Sequence, residues 1–206
     1  MTTTTTATLY YVYDPMCSWC WGFKPTWDLI QESLADEITI EWVLGGLAPD
    51  TDQPMPDAMQ QQIASYWQKI EHQLGTQFNY DFWSQNTPRR ATYPACRAIL
   101  AARAQGAEVA MNNAIQKGYY LEAKNPSDND RLLEFAHDIG LDMTRFERDL
   151  MAAETQSQLL NELQFARSIG GNSFPSLFVA KQGRITELPI DYKNAATTIQ
   201  RVRELY

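Results

Sequence analysis

The sequence predicts an α/β fold in which the elements follow the order β-α-β, a large all-helical insertion, and then α-β-β-α. Three observations support this prediction. A helical pattern lies between two short strand patterns near the N-terminus, the middle of the chain shows helical periods only, and strand patterns return in the last third. A chain of 206 residues is long enough for one sizeable core or for a small domain that carries a second one.

The first segment is interpreted as a parallel βαβ unit. Thr8–Tyr13 is rich in Tyr and Val and precedes the turn signal Asp14-Pro15, which predicts a strand. From Cys20 onward, apolar residues recur at steps of three and four, and Pro25 lies inside the resulting helix, where it should cause a kink. These apolar residues are Phe23, Trp27, Ile30 and Leu34. A second strand is predicted at Ile38–Leu44.

The character of the chain changes after the second strand. Ala48–Pro56 holds three prolines and is interpreted as a linker. From about Asp57 to Ala153 the apolar residues follow helical periods. The predicted organisation is therefore one discontinuous domain, residues 1–48 and 155–206, interrupted by a helical insertion domain at residues 49–154.

The last segment restores the α/β pattern. A helical period runs through Leu159, Leu163, Ala166 and Ile169. A strand at Ser176–Ala180 follows, and a tight turn at Gln182-Gly183 leads into Ile185–Leu188, which predicts a hairpin. A last helix completes the chain. Two side chains are predicted helix caps: Ser127 inside the insertion and Asp191 before the last helix.

Composition excludes several classes of protein. The chain has 25 acidic residues against 17 Lys plus Arg, a net charge of -8, which argues against nucleic acid or anionic lipid as the main partner. Three cysteines are too few for a scaffold held by disulfides. No window approaches the roughly 18 to 20 apolar residues of a membrane helix. The threonine run in residues 1–7 lacks the basic region of a secretory signal, so we expect a cytoplasmic protein with no membrane partner.

The motif Cys17-Ser18-Trp19-Cys20 lies where the first strand turns into the first helix. Two sulfurs at this spacing can close a small disulfide ring reversibly. At the first helical turn, Cys17 would meet unpaired backbone N–H groups and the positive end of the helix dipole, which favour a thiolate. We therefore predict that Cys17 is the nucleophile and that Cys20, on the core-facing side, is the resolving thiol.

Two other interpretations of this motif stay open. A structural zinc site would need further ligands, and the available residues Cys96, His72 and His137 form no second paired spacing, so we predict no metal. The two thiols could also be inert.

Cys96 is expected to be a buried small hydrophobic residue on a helix, with a third redox thiol as the alternative.

The segment Asp14–Phe23, together with Phe174-Pro175-Ser176, resembles the thioredoxin superfamily. Within it the chain is similar to the DsbA family, and most of all to its cytosolic FrnE-like branch of predicted protein-disulfide isomerases. The resemblance extends to Gly45–Pro49 and Tyr93–Ala98. It implies a thioredoxin fold interrupted by a helical domain and a thiol-disulfide oxidoreductase or protein-disulfide isomerase. It also implies no bound cofactor, protein thiols and disulfides or a small thiol as partners, and glutathione as a candidate co-substrate.

The resemblance assigns roles around the cysteines. It makes Pro175 a cis-proline that faces the motif, and it leaves the backbone of Phe174 free to pair with a substrate strand. The other interpretation is a trans proline that starts an edge strand. Ser18 and Trp19 are the remaining predicted substrate-binding residues, and Trp19 is either an apolar platform for polypeptide or a packing residue.

The chain also departs from the pattern of the family. DsbA has Pro-His between its cysteines, whereas Ser18-Trp19 supplies no positive charge, which predicts a less stabilised thiolate and a less oxidising pair. Tyr11 occupies the position, six residues before Cys17, at which many members carry a buried acid. Asp14 is the nearest carboxylate and a candidate proton relay to Cys20, with turn formation as the other interpretation.

Two further functional hypotheses remain. Glutathione-using enzymes of the kappa-class transferase and 2-hydroxychromene-2-carboxylate isomerase type share this architecture, but they commonly carry serine where Cys17 stands and lack the second cysteine. A non-catalytic binding module with the same fold would retain its function when Cys17 is replaced by serine. The presence of both thiols favours redox chemistry over both hypotheses.

Overall fold

The computed structural model describes residues 7–206 and has the predicted order of elements. The threonine run lies outside the described residues, apart from Ala7 at its end. No helix within residues 7–206 is long and apolar enough to span a membrane. The elements are β1 (Thr8–Tyr13), α1 (Ser18–Leu34), β2 (Thr39–Leu44), α2 (Asp57–Leu74), α3 (Phe82–Gln85), α4 (Tyr93–Arg103), α5 (Glu108–Leu121), α6 (Asn129–Asp138), α7 (Met143–Leu150), α8 (Ala153–Ser168), β3 (Ser176–Lys181), β4 (Arg184–Leu188) and α9 (Ala195–Leu205).

The four strands form one mixed sheet in the order β2-β1-β3-β4. β1 and β2 are parallel, with Thr8 opposite Thr39, while β3 is antiparallel to both β1 and β4. The β3–β4 turn has positive φ at Gln182 (52°) and Gly183 (78°), the backbone of a two-residue hairpin turn that matches strand twist. The predicted βαβ unit and hairpin are both confirmed.

α1 packs against β1 through the apolar face that its periodicity predicts. Phe23, Trp27, Ile30 and Leu34 are all at most 1% exposed. Pro25 lies inside the helix, as predicted. The Tyr11 ring of β1 stacks on Trp27 with 4.2 Å between ring centroids. This contact places the start of α1, and with it both cysteines of the motif, at the end of β1.

The chain between β2 and β3 is helical from α2 to α8, apart from the connecting loops and an isolated bridge between Pro54 and Arg89. The predicted helical insertion is therefore present in the described residues. The exact domain boundaries at residues 49 and 154 stay a prediction.

Both predicted helix caps are wrong. The N-cap of α6 is Asp128, because the Ser127 hydroxyl instead donates to the Ala91 carbonyl at 2.7 Å. The N-cap of α9 is Asn194, whose side chain accepts the Ala196 N–H at 3.1 Å. Asp191 accepts backbone N–H groups just before the helix and therefore shapes the preceding turn.

A group of charged side chains joins the helical section to the sheet. The Arg103 guanidinium of α4 contacts Glu162 of α8 and Glu108 of α5, each at 2.6 Å. Glu162 also accepts the backbone N–H of Leu44, the last residue of β2, at 2.7 Å. The hydroxyl of Tyr13, at the end of β1, donates to Glu108 at 3.4 Å. One arginine thus neutralises two partly buried carboxylates that contact both parallel strands.

Replacing Arg103 by methionine is expected to lower the free energy of unfolding by about 3 kcal/mol, because it leaves two partly buried carboxylates without their cation. Urea denaturation at neutral pH measures this loss. Arg97→Met is the matched control: Arg97 also lies on α4 and pairs with a carboxylate, but Asp50 is about half exposed. That variant should lose about 0–1 kcal/mol. Equal losses in the two variants would contradict the role assigned to Arg103.

Candidate active site

The two cysteines of the motif occupy different environments at the start of α1. Cys17 is the N-cap residue, with extended backbone dihedrals, and its N–H donates to the Asp14 carbonyl at 3.0 Å. It keeps 7% of its surface exposed, whereas Cys20 is completely buried. Both residues are free thiols in this structure. Cys17 is therefore the thiol that faces the surface, and Cys20 lies one turn deeper, as the periodicity predicts.

The environment separates the acidities of the two thiols. The pKa of Cys17 is lower than its ordinary value of 9.0. The largest cause is a hydrogen bond from the Cys20 thiol, and the backbone N–H groups of Cys20 and Trp19 lower the pKa further. Burial and the Asp14 carboxylate act in the opposite direction but do not outweigh these hydrogen bonds. Burial, and then the Cys17 sulfur, raises the pKa of Cys20 well above that value. The proton therefore stays on Cys20 while Cys17 becomes the thiolate.

The segment before β3 closes the site over Cys17. The Phe174-Pro175 peptide bond is cis, which confirms that expectation. The Cys17 thiol donates to the Phe174 carbonyl at 3.5 Å, across 157 positions of the chain. The pairing of Phe174 with a substrate strand stays a prediction.

Two residues hold the Phe174 ring in place. A Cβ atom on Gly45 would lie 1.9 Å from this ring, so the ring occupies the space that glycine leaves free. The Arg167 guanidinium lies 5.4 Å from the ring centroid and donates to the Gly45 carbonyl at 2.7 Å. The residues after β2 and the end of α8 thus position the carbonyl that meets Cys17.

Trp19 lies at the rim of the site and Ser18 inside it. Ser18 is buried, while Trp19 is half-buried and packs against the Tyr192 ring, with 5.3 Å between centroids. The Lys69 ammonium of α2 lies 5.8 Å from the centre of the Trp19 ring. Next to this rim is a groove of about 840 Å³ between α1 and α2, which Trp21, Leu29, Leu74 and Tyr192 help to line. The rim and the groove together form a largely apolar surface.

Asp14 is completely buried and accepts four hydrogen bonds. Its Oδ1 atom accepts the Met16 N–H at 2.8 Å, which forms the turn before the motif. Its Oδ2 atom accepts the Leu47 N–H at 2.6 Å, the Thr92 hydroxyl at 2.7 Å and the Cys96 thiol at 3.7 Å. Turn formation is therefore confirmed. The thiol that donates to this carboxylate is Cys96, so a proton relay to Cys20 stays a prediction.

Cys96 is buried, as predicted, but it is also a hydrogen-bond donor. Burial, followed by the nearby Asp14 carboxylate, raises its pKa well above the ordinary value. The thiol therefore stays protonated and neutral. Within residues 7–206, no three His, Cys, Asp or Glu side chains form a group that could hold a metal ion.

Four tyrosines around the cysteines were not predicted as site residues, although the sequence places Tyr11 at the position of the family's buried acid. Burial is the main cause that raises the pKa of Tyr11, Tyr119, Tyr120 and Tyr192, and the Cys17 charge raises each of them further. For Tyr11 and Tyr192, the charge on Cys20 raises the pKa as well. The alternation of β1 could have placed Tyr11 on the face that meets α1. No spacing rule connects the other three tyrosines with the motif.

The chain is similar to known proteins over most of its length. Residues 10–195 match the family model described as Thioredoxin. The ClpXP adapter protein SpxH of Bacillus subtilis is 24% identical over 172 residues, which cover 82% of this chain and 56% of that protein. SpxH of Halalkalibacterium halodurans is 23% identical over 174 residues with the same coverage. The chain thus spans little more than half the length of the curated relatives it matches.

Solved structures share the whole fold. A candidate protein disulfide isomerase from Nitrosomonas europaea matches with a TM-score of 0.83 and 24% identity over 97% of both chains. The cytosolic disulfide reductase DsbM from Pseudomonas aeruginosa matches with a TM-score of 0.75 and 22% identity, over 96% of this chain and 94% of that one. The oxidoreductase DsbA from Xylella fastidiosa matches with a TM-score of 0.62 and 14% identity, over 98% and 88%. These matches confirm the predicted DsbA-like fold with its helical insertion.

Replacing Asp14 by asparagine is expected to move the Cys17 thiolate titration to lower pH, because the carboxylate charge raises the pKa of Cys17. The free energy of unfolding should fall by about 1–3 kcal/mol, since buried donors lose their acceptor. Ultraviolet thiolate absorbance against pH measures the first effect, and urea denaturation measures the second.

Thr92→Val is the matched control, because it removes a hydrogen bond to Asp14 and keeps the charge. It should lower stability without moving the Cys17 titration. If both variants move the titration equally, the charge of Asp14 is not the cause.

Proposed function

The chain belongs to the thioredoxin family, and from this membership we propose that it is a thiol-disulfide oxidoreductase that acts on protein disulfides through Cys17 and Cys20. The observation that carries the proposal is the opposite shift of the two thiol pKa values at the start of α1. A lowered pKa supplies a thiolate for attack, and a raised pKa keeps the second thiol protonated until the first has reacted.

The reaction proceeds by two exchanges. The Cys17 thiolate attacks one sulfur of a substrate disulfide; a bond forms between the two sulfurs, and the other substrate sulfur leaves as a thiolate that takes a proton from water. Cys20 then loses its proton, attacks Cys17 and releases the second substrate sulfur. The substrate gains two electrons and the cysteine pair loses them. A second dithiol or two glutathione molecules return the pair to the reduced state.

Isomerase or reductase chemistry is favoured over disulfide formation. The Asp14 carboxylate raises the pKa of Cys17, and Ser18-Trp19 adds no positive charge that would stabilise the thiolate. A less stabilised thiolate makes the reduced pair less favourable, so the pair is less oxidising. The names of two proteins with this fold, a candidate protein disulfide isomerase and a cytosolic disulfide reductase, agree with that direction. We therefore also propose a cytoplasmic location.

An extended substrate segment would bind beside Cys17. The Phe174 carbonyl now accepts the Cys17 thiol, and a backbone N–H of the substrate would replace that donor once Cys17 has reacted. Trp19 and Tyr192 would then contact apolar side chains of the segment. An unfolded polypeptide satisfies both requirements because its backbone and its apolar side chains are accessible.

Glutathione is the second candidate partner. Lys69 places a positive charge at the Trp19 rim, where the carboxylates of a small anionic thiol could meet it. The DsbM structure with the same fold has also been solved with GSH. Glutathione would serve here as the electron donor that reduces the disulfide between Cys17 and Cys20. A transferase of this architecture does not need the second cysteine, so the presence of Cys20 favours the redox role.

A binding role is the alternative that the curated relatives favour, because both are named adapter proteins. In that case the fold would present a surface to a partner and the thiols would not turn over. Replacement of Cys17 by serine would then leave the function intact.

Cys17→Ser is expected to abolish reduction and reshuffling of an oxidised protein substrate, because the nucleophile is lost. Cys20→Ser should accumulate a mixed disulfide on Cys17, which non-reducing gels detect. Cys96→Ser is the control and should keep full activity, since serine can retain the hydrogen bond to Asp14. Full activity of Cys17→Ser would refute the oxidoreductase and support the adapter alternative.

Trp19→Ala is expected to raise KM for a protein substrate by about tenfold, because the apolar contact worth about 1.4 kcal/mol is lost, and to leave kcat nearly unchanged. Reduction of a small disulfide should change little. The control is Phe165→Ala, which removes an exposed ring that packs against Tyr10 on the opposite face of the sheet. A loss of equal size with both substrates would show that Trp19 supports the site and does not bind polypeptide.

A further inference from the structure

The Arg167 side chain joins three segments beside the candidate active site. Its Nη1 atom donates to the Gly171 carbonyl at 2.6 Å, in the loop between α8 and β3, and its Nη2 atom donates to the Gly45 carbonyl at 2.7 Å, directly after β2. Its guanidinium also lies 5.4 Å from the centroid of the Phe174 ring. Both hydrogen-bond partners within residues 7–206 are backbone carbonyls, so these bonds fix chain segments relative to one another.

The half-buried Phe174 ring is held against a fixed backbone. It fills the space above Gly45, where an added Cβ atom would lie 1.9 Å from the ring. The Gly45 N–H in turn donates to the Tyr13 carbonyl, at the end of β1, at 2.6 Å. Because the ring and the carbonyl of Phe174 belong to the same residue, the contacts that fix the ring also limit rotation of the carbonyl.

A closed series of contacts connects Arg167 with the reactive sulfur. The Cys17 thiol donates to the Phe174 carbonyl at 3.5 Å, and the Cys17 N–H donates to the carbonyl of Asp14, the residue after β1, at 3.0 Å. From the end of β1 the series returns through Gly45 and Arg167 to Phe174. Arg167 therefore acts on the site through Phe174.

The Phe174 carbonyl loses its donor when Cys17 ionises. The thiol donates to it in the reduced protein, whereas a thiolate has no proton to donate. The carbonyl is then an open acceptor beside the sulfur that attacks the substrate, and a backbone N–H of an extended substrate can take that place. Hydrogen bonds weaken steeply when their distance or angle is wrong, so the carbonyl must be held in position before the substrate binds.

We propose that Arg167 is a positioning residue: through the Phe174 ring it holds the Phe174 carbonyl where a backbone N–H of a polypeptide substrate docks beside Cys17. The inference rests on the proposed function and adds the group that favours polypeptides over small disulfides. Arginine suits this task better than lysine, because its planar guanidinium can donate to two carbonyls at once while it lies against an aromatic ring. The contact affects docking of the peptide and leaves the sulfur chemistry unchanged.

The test measures how fast Cys17 attacks a peptide whose cysteine is joined by a disulfide to a chromogenic aromatic thiol. Attack on the peptide sulfur releases the coloured thiolate, and rapid mixing gives the second-order rate constant. Arg167→Met should lower this constant about fivefold, the loss expected for one backbone hydrogen bond. Arg167→Lys should lower it as much, since lysine keeps the charge but lacks the fork of donors. The symmetric aromatic disulfide has no peptide N–H and should react at the wild-type rate in both variants.

Arg145→Met is the matched control. Arg145 of α7 also donates to a backbone carbonyl of another segment, that of Ala104 at 2.5 Å, but this contact joins α7 to the end of α4. The variant should react with both substrates at the wild-type rate. Slowing of both substrates by the same factor in Arg167→Met would indicate a general disturbance of the site and overturn the inference. An unchanged rate in Arg167→Lys would also overturn it, since the charge alone would then suffice.

A change in the peptide keeps the test decisive if Arg167→Met folds poorly. Ester oxygens replace, in turn, the N–H groups of the reactive cysteine and of its two neighbours. In the wild-type protein one of these esters should slow the reaction about fivefold. The same ester should cause no further loss in Arg167→Met, because both changes remove the same hydrogen bond. Additive losses, or no loss with any ester, would overturn the inference.

The same measurements separate the inference from the proposed function. If the wild-type protein releases the coloured thiolate from neither substrate, the proposed function itself fails. If the wild-type protein reacts with both substrates and Arg167→Met reacts with both at the same rates, only the role of Arg167 is rejected.

Discussion

The buried carboxylate of Asp14 is the constraint on which the rest of the site depends. It binds the Met16 N–H of the turn before α1, the Leu47 N–H of the loop after β2 and the Thr92 hydroxyl at the start of α4. Three separate segments are thereby fixed relative to Cys17. An isolated carboxylate would be costly to bury, and the donors from these segments compensate for that cost.

The same charge limits the chemistry of the thiols it positions. It opposes ionisation of Cys17, Cys20 and Cys96 together. Cys17 nevertheless has a lowered pKa because local hydrogen bonds outweigh burial and the carboxylate. The site therefore combines a reactive outer thiol with two protonated inner thiols, an arrangement suited to exchange in which attack precedes resolution.

The helical section contributes to the site as well as to the core. Lys69 of α2 lies at the Trp19 rim, and Thr92, the N-cap residue of α4, donates to Asp14. Arg103, at the end of α4, neutralises the charges of Glu108 and Glu162. These two carboxylates accept hydrogen bonds from the ends of β1 and β2. A change in the packing of these helices would therefore reach the cysteines through hydrogen bonds and charge, even though α1 and β1 carry the motif.

The sequence by itself determined the strands, the buried face of α1, the hairpin turn and the place of the cysteines at a helix start, because periodicity and turn chemistry act over a few residues. The tertiary structure alone decided which distant groups meet: the Phe174 carbonyl with Cys17, Asp14 with Cys96, and the Tyr13 hydroxyl with Glu108. The Ser127 cap was wrong for the same reason, since a carbonyl from another segment accepts its hydroxyl. A polar side chain takes the best partner that the folded chain brings to it, and sequence spacing does not record that choice.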